Sequence, residues 1–363
     1  MVTAGMARAG DRRTGALGTG RRVRPGNFGM KRKAAIFAMA LLAALAGWTQ
    51  IPEAAPAHHG AQDPLAQERA KREAFAWLAG HQNLDGSWGK DGTCRPALTA
   101  VCVLGFLNDG RGPLDQEYGD DVIRAAAFLA KSPVHLAESP AGADAAVLWV
   151  LAESYDFARF PFLKEAVLSR AALLDTERPT CWHVWAWVAM VRTADPPPVS
   201  WRDLLRRYET ETTSHPSPFS VAPIVLGYYR VGTDKELADA LREFASTDWN
   251  QWRSAPVPLE AALSISLAVR CAGIKRYKAW SAAFWEPVLS QQAADGYWPP
   301  STFRLSAEQA SFAGAIEEDR TILATAAVLL CMPPERFIPR YIPRAPSKEH
   351  NPFDLPPEDD PAE

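Results

Sequence analysis

Polar and apolar positions along the chain sort into two kinds of segment. One kind is amphipathic and charged: 64–79, 118–131, 161–175, 201–209, 234–245 and 276–290. The other is almost free of charge: 96–108, 141–151, 181–191, 219–229, 259–269 and 321–332. The two kinds alternate strictly, and the charged segments recur roughly every 42 residues. A period of that length made of two helices indicates a repeat architecture. A helix charged on one face buries the other, whereas a helix that is apolar all round must be covered on every side. The pattern therefore predicts an all-α fold in which six apolar helices form an inner ring and six amphipathic ones wrap it, an (α/α)6 toroid over residues 62–341. An open solenoid is the alternative, but no polar capping repeat is evident at either end. Continuous strand signals are absent, and Gly and Pro punctuate the gaps, as in Gly110-Arg111-Gly112-Pro113 and Pro196-Pro197-Pro198.

Two of the punctuating turns share one pattern, Q-x-x-D-G-x-W. The first is Gln82, Asp85, Gly86 and Trp88, closing the first charged segment; the second is Gln292, Asp295, Gly296 and Trp298, closing the last. Glycine allows a positive φ where a helix ends. The tryptophan can fold back over the turn, and the glutamine can bond free backbone groups or the indole edge. The pair reads as a structural staple between neighbouring helix pairs.

These residues resemble the QW motif of squalene and hopene cyclases and of prenyltransferase repeats. The whole chain is similar to exported bacterial prenyltransferase/squalene-oxidase repeat proteins. Further matches, in order, are Leu98 to Leu107, Leu151-Ala152-Glu153-Ser154-Tyr155, Cys181-Trp182-His183-Val184-Trp185 and Arg336-Phe337-Ile338-Pro339-Arg340-Tyr341. The resemblance implies a terpenoid cyclase-like α/α toroid. The chemistry of its catalytic members does not follow. There is no Asp-x-Asp-Asp run for substrate protonation and no Asp-Asp-x-x-Asp for magnesium. The zinc pattern of the protein prenyltransferases is missing too, and Cys181 and His183, two apart on a helix, point to different faces. No metal or cofactor is expected. Asp120-Asp121 opens a charged segment and reads as a helix N-terminal pair.

The remaining candidates lie on the apolar segments. Asp144 is the lone acid on its segment: either a helix-start residue or, facing a cavity, a perturbed acid and the one candidate for catalysis. His183 stands where the family pattern has glutamine. It is either a satisfied core histidine or a ligand anchor. Trp149, Trp182, Trp185 and Trp187 are either packing or the lining of an apolar, cation-tolerant pocket. Glu317-Glu318-Asp319 match the positive end of the helix that follows them, or bind a cation at the barrel mouth.

Charge adds a destination. The net charge of −3 hides nine Lys/Arg and one acid in residues 1–33. The acidic remainder has no attraction for a phosphate backbone, so nucleic acid is excluded as a partner. Lys31-Arg32-Lys33 followed by the apolar stretch 34–47 reads as an export signal or an anchor over 30–57, with 1–29 a mis-assigned extension ahead of Met30. Periplasmic or secreted location follows. The five cysteines are scattered and sit mostly in apolar settings, as buried thiols do. Residues 342–363 hold six Pro and six acids, and are expected to be an extended or disordered tail. The expected function is non-catalytic binding, in the cell envelope, of an isoprenoid or other hydrophobic ligand or of an envelope protein. The alternatives are a divergent terpenoid cyclase or prenyltransferase, and a carbohydrate-active barrel.

Overall fold

Local sequence sets the helix ends. Pro161 begins one helix directly after the extended Phe160, a position where proline's missing N–H costs nothing. Gly142 takes φ +81° ahead of the next apolar helix, and Arg159 closes that helix at φ +56°. The computed structural model describes residues 64–90, 92–133, 142–177, 179–190, 200–212, 287–304 and 310–332, with isolated positions between 223 and 285. All belong to one unit of the chain, His58–Glu363. The expected signal segment, the tail, the Arg336–Tyr341 match and most of segments 219–229, 234–245 and 259–269 lie outside the described residues.

The described residues are mostly helical. The helices are α1 (Pro64–Gly80), α2 (Arg95–Asn108), α3 (Gly119–Lys131), α4 (Ala143–Ala158), α5 (Pro161–Leu173), α6 (Cys181–Met190), α7 (Trp201–Thr212) and α8 (Glu317–Cys331). Among the described residues, strand is confined to two residues each of β1 (Val257–Pro258) and β2 (Phe303–Arg304), which pair in parallel. The helix α4 runs seven residues past the uncharged segment 141–151. Glu153 and Ser154 are buried, Tyr155 to Ala158 are half-buried, and the helix ends at the left-handed Arg159. The helix α8 starts at Glu317, ahead of its uncharged core, because its three acids fill the first turn.

Burial divides the helices as their charge does. Every residue of α2 from Ala97 to Asn108 is buried, as is the whole of α6. In α3 only five positions are buried, among them Val122, Ala125, Ala126 and Leu129, which lie at helical spacing on one face. The apolar helices touch one another in series: α2 packs against α4, and α4 against α6. The last one described, α8, packs against the first, α2. Gly105 makes this approach close, since a Cβ there would lie 3.2 Å from the Ala326 carbonyl oxygen. Asn108 ties the same pair, donating to the carbonyls of Leu329 (3.0 Å) and Met332 (2.9 Å). The charged helices cover this layer, α1 on α8, α3 on α2, α5 on α4 and α7 on α6.

Candidate functional site

The two Q-x-x-D-G-x-W turns share the bonds made by their tryptophans and glutamines. In the first, the Trp88 indole N–H donates to the Leu78 carbonyl at 2.7 Å, closing the end of α1. In the second, the Trp298 indole donates to the Val288 carbonyl at 2.8 Å. Both indoles are fully buried. The Trp88 backbone N–H is taken by the Thr99 hydroxyl of α2 (2.9 Å), and that of Trp298 by the Thr325 hydroxyl of α8 (3.0 Å). Each glutamine amide donates twice. Gln82 reaches the Gly86 carbonyl (3.0 Å) and the Asp121 carbonyl on α3 (2.8 Å). Gln292 reaches the Gly296 carbonyl (2.8 Å) and the Ala70 carbonyl on α1 (2.9 Å).

The glycines show why no side chain fits. Gly86 has φ +89°, and a Cβ there would sit 2.5 Å from the Arg124 backbone. Gly296 has φ +93°, and its Cβ would sit 2.7 Å from the Glu73 carbonyl oxygen. The first turn thus fastens α1 to α3, and the second fastens the last charged segment to α1. In the first turn Asp85 accepts from the Ser87 hydroxyl (2.7 Å) and N–H (3.1 Å) and pairs with Arg95 (2.7 Å). Asp295 is exposed.

The tryptophans of the apolar layer come together. Trp182 and Trp185 meet edge to face with ring centroids 5.0 Å apart, and Trp149 lies 5.3 Å from Trp185. Phe312 closes on Trp182 at 5.3 Å. Trp187 is buried on the same helix. The Trp149 indole donates to the buried carboxylate of Glu153 at 3.3 Å. The Trp185 indole N–H and the Ser154 hydroxyl are buried with no hydrogen-bond partner among the described residues.

Asp144 sits in the first turn of α4, its side chain 23% exposed, and pairs with Arg170 at 3.2 Å. Arg170 comes from α5 and is 4% exposed. Its guanidinium also donates to the carbonyls of Leu129 (2.8 Å) and Ser132, which end α3. Burial pulls the Arg170 pKa down, and Asp144 opposes that; a guanidinium stays charged regardless. Asp144 therefore faces a cation that binds three elements together.

His183 has an equally local job. Its Nδ1 accepts the Thr180 backbone N–H at 3.0 Å, with the Thr180 hydroxyl also at 3.0 Å. Thr180 precedes the first residue of α6 and His183 is the third, so the imidazole fills the reciprocal half of a capping box usually made by Glu or Gln. An accepting Nδ1 places the proton on Nε2 in the neutral ring. Burial lowers the imidazole pKa below its ordinary 6.5, against the raising influence of Asp175 and Asp144.

The acids opening α8 divide their work. Asp319 is fully buried and accepts the Lys90 backbone N–H with both oxygens at 3.0 Å, while Glu318 pairs with the Lys90 ammonium. Asp120 and Asp121 occupy the first turn of α3. Among the described residues no group of His, Cys, Asp and Glu is placed to hold a metal ion. The described cysteines Cys94, Cys102, Cys181 and Cys331 are buried and form no disulfide with one another, and burial pushes the Cys102 thiol well above its usual range. No described helix is long and apolar enough to cross a membrane.

No protein-family model matches the chain, and no curated protein matches it in sequence. Three residues central to the geometry are not singled out by the sequence patterns: Arg170, Thr99 and Thr325. Each is an ordinary polar residue in an ordinary helix, and its partner lies on another element. A buried arginine on a short amphipathic helix is the one local signal that could have marked Arg170, since a lone buried cation needs partners.

Proposed function

We propose that the protein is an exported binding module built on a closed (α/α)6 ring of the squalene-cyclase/prenyltransferase repeat type, and that it works without cyclase chemistry. The packing of α8 on α2, together with the Gln292 bond back to α1, supports closure in both layers. The Asp144–Arg170 pair carries the functional reading. The one acid that the sequence offers as a proton donor is paired at 3.2 Å with a buried guanidinium that also ties down the end of α3, which is a structural commitment rather than a position facing a substrate. His183 is likewise committed to starting α6.

What the interior offers instead is a buried aromatic cluster. The Trp149, Trp182 and Trp185 cluster suits an isoprenoid or similar hydrophobic ligand. An envelope protein is the other partner class. Segment 30–57 would direct export to the periplasm or beyond.

Incubating the purified full chain with a linear polyprene, followed by product analysis, tests the reading. The expected result is unchanged polyprene, with lipid retained by the protein in native mass spectrometry. A cyclised product that disappears in Asp144→Asn would replace this reading with that of a divergent cyclase.

A further inference from the structure

A cleft of about 540 Å3 opens beside the first Q-x-x-D-G-x-W turn, away from the tryptophan cluster. One wall is α3, which presents Arg124, Phe128 and Lys131 at helical spacing on one stripe. The other is the start of α2, with Arg95 and Pro96. Asp85 is the single carboxylate among the lining residues, against three cations. Asp85 pairs with Arg95, and Arg124 pairs with Asp121 of its own helix, so the cleft and its immediate partners carry one positive charge in excess, that of Lys131. Lys131 makes no ion pair among the described residues. Phe128 is half-buried, with the Arg95 guanidinium 5.7 Å from its ring centroid. The cleft therefore joins an aromatic, proline-bordered floor to a positive rim. An extended acidic peptide with an apolar anchor fits that description.

The chain contains such a peptide. Residues 351–363, outside the described part, read Asn-Pro-Phe-Asp-Leu-Pro-Pro-Glu-Asp-Asp-Pro-Ala-Glu: five acids, no Lys or Arg, four prolines, and Phe353 and Leu355 as anchors. Proline pre-sets an extended conformation at low entropic cost, which suits a groove that offers aromatic surface. Reach is sufficient. The Met332 carbonyl is bonded to Asn108 at the far end of α2, about 20 Å from Arg95 at 1.5 Å per residue. The 18 residues 333–350 can span up to about 60 Å.

We propose that the acidic segment 351–363 binds in the Arg95/Arg124/Lys131 cleft. The proposal is independent of what the tryptophan cluster binds.

The test uses the full chain with Asp354, Glu358, Asp359, Asp360 and Glu363 replaced by Asn or Gln, which leaves the cleft without its own ligand. A fluorescent synthetic peptide of residues 351–363 is titrated against it and followed by anisotropy. The peptide should bind this variant at least about tenfold more tightly than it binds the native chain, whose own segment competes. Adding Lys131→Glu should cost at least another tenfold, and raising salt should weaken binding steeply. Lys131 is exposed and in no ion pair among the described residues, so circular dichroism should show this variant folded. Equal peptide binding to the native and neutralised chains would overturn the proposal. So would binding indifferent to Lys131→Glu, or equal binding of a scrambled peptide of the same charge without Phe353 and Leu355.

Discussion

The Gln292 side-chain amide donates to the Ala70 carbonyl at 2.9 Å, a bond that spans 222 residues of sequence. Gln82 makes the equivalent bond to Asp121 across only 39. One motif thus joins the first charged helix both to its successor and to the last charged segment.

The glycines of the two turns should be the least replaceable residues of the motif. Gly86→Ala and Gly296→Ala each force a Cβ into neighbouring backbone at positive φ, and each should cost about 2 kcal/mol or more. Gly80→Ala is the control: nothing lies within 4 Å of its Cβ position, and the change should be within about 0.5 kcal/mol of neutral. Denaturant unfolding of the three variants reads this directly.

Thr99→Val and Thr325→Val should behave as a pair. Each keeps the shape but removes the acceptor of a buried tryptophan N–H, at a cost of about 1–3 kcal/mol. Closely similar losses in thermal or chemical unfolding are expected, because the two turns share these bonds. A loss at one position only would mean that the turns do not share their work.

Arg170→Met should be more damaging than Asp144→Asn. The first strands the carbonyls of Leu129 and Ser132 and leaves Asp144 without its cation. A loss of about 2–4 kcal/mol is expected. The second removes the charge of a partner only 23% exposed, but keeps an oxygen beside Arg170 and leaves its two carbonyl bonds in place, so it should cost less, about 1–2 kcal/mol. Unfolding midpoints check both values, and the ranking distinguishes a structural Asp144 from one kept for chemistry.

Acid should weaken the fold through His183. Its folded pKa lies below the ordinary 6.5, so the unfolded chain takes up a proton first as pH falls. The contribution is complete above about pH 6.5 and is lost as pH falls from there through the folded pKa. Protonation would also turn Nδ1 into a donor facing the Thr180 N–H. In His183→Gln an uncharged acceptor remains at the capping position, so the slope of stability between pH 7 and pH 5 should be shallower than in the native protein.

The helices are legible in the chain because their burial follows their charge: α2 and α6 carry almost no polar residue and are covered on all sides, whereas α3 shows one apolar stripe. The end of α4 is less legible, because Glu153 and Ser154 look like surface residues yet lie in the interior. Gly86 and Gly296 are recognisable from spacing alone, since only a turn explains Asp-Gly before Trp at a helix end. Their contact surfaces, the backbones of Arg124 and Glu73, are not, because backbone carries no sequence signal of its role as a neighbour. Asp144 and His183 show the same limit. Their residue type suggests chemistry, but Arg170 and Thr180, which decide their state, are visible only once the helices are placed.

The proposed closure of the ring is tested most directly by a distance. Spin labels at Arg69→Cys on α1 and Ala294→Cys on the second turn, both exposed positions, can be placed in a Cys271→Ser background, with the described native thiols buried. Double electron–electron resonance should give one narrow distance below about 25 Å, as for labels on neighbouring helices packed 8–10 Å apart. A distance of about 40–50 Å, the sum of five such steps along an open array, would contradict the ring.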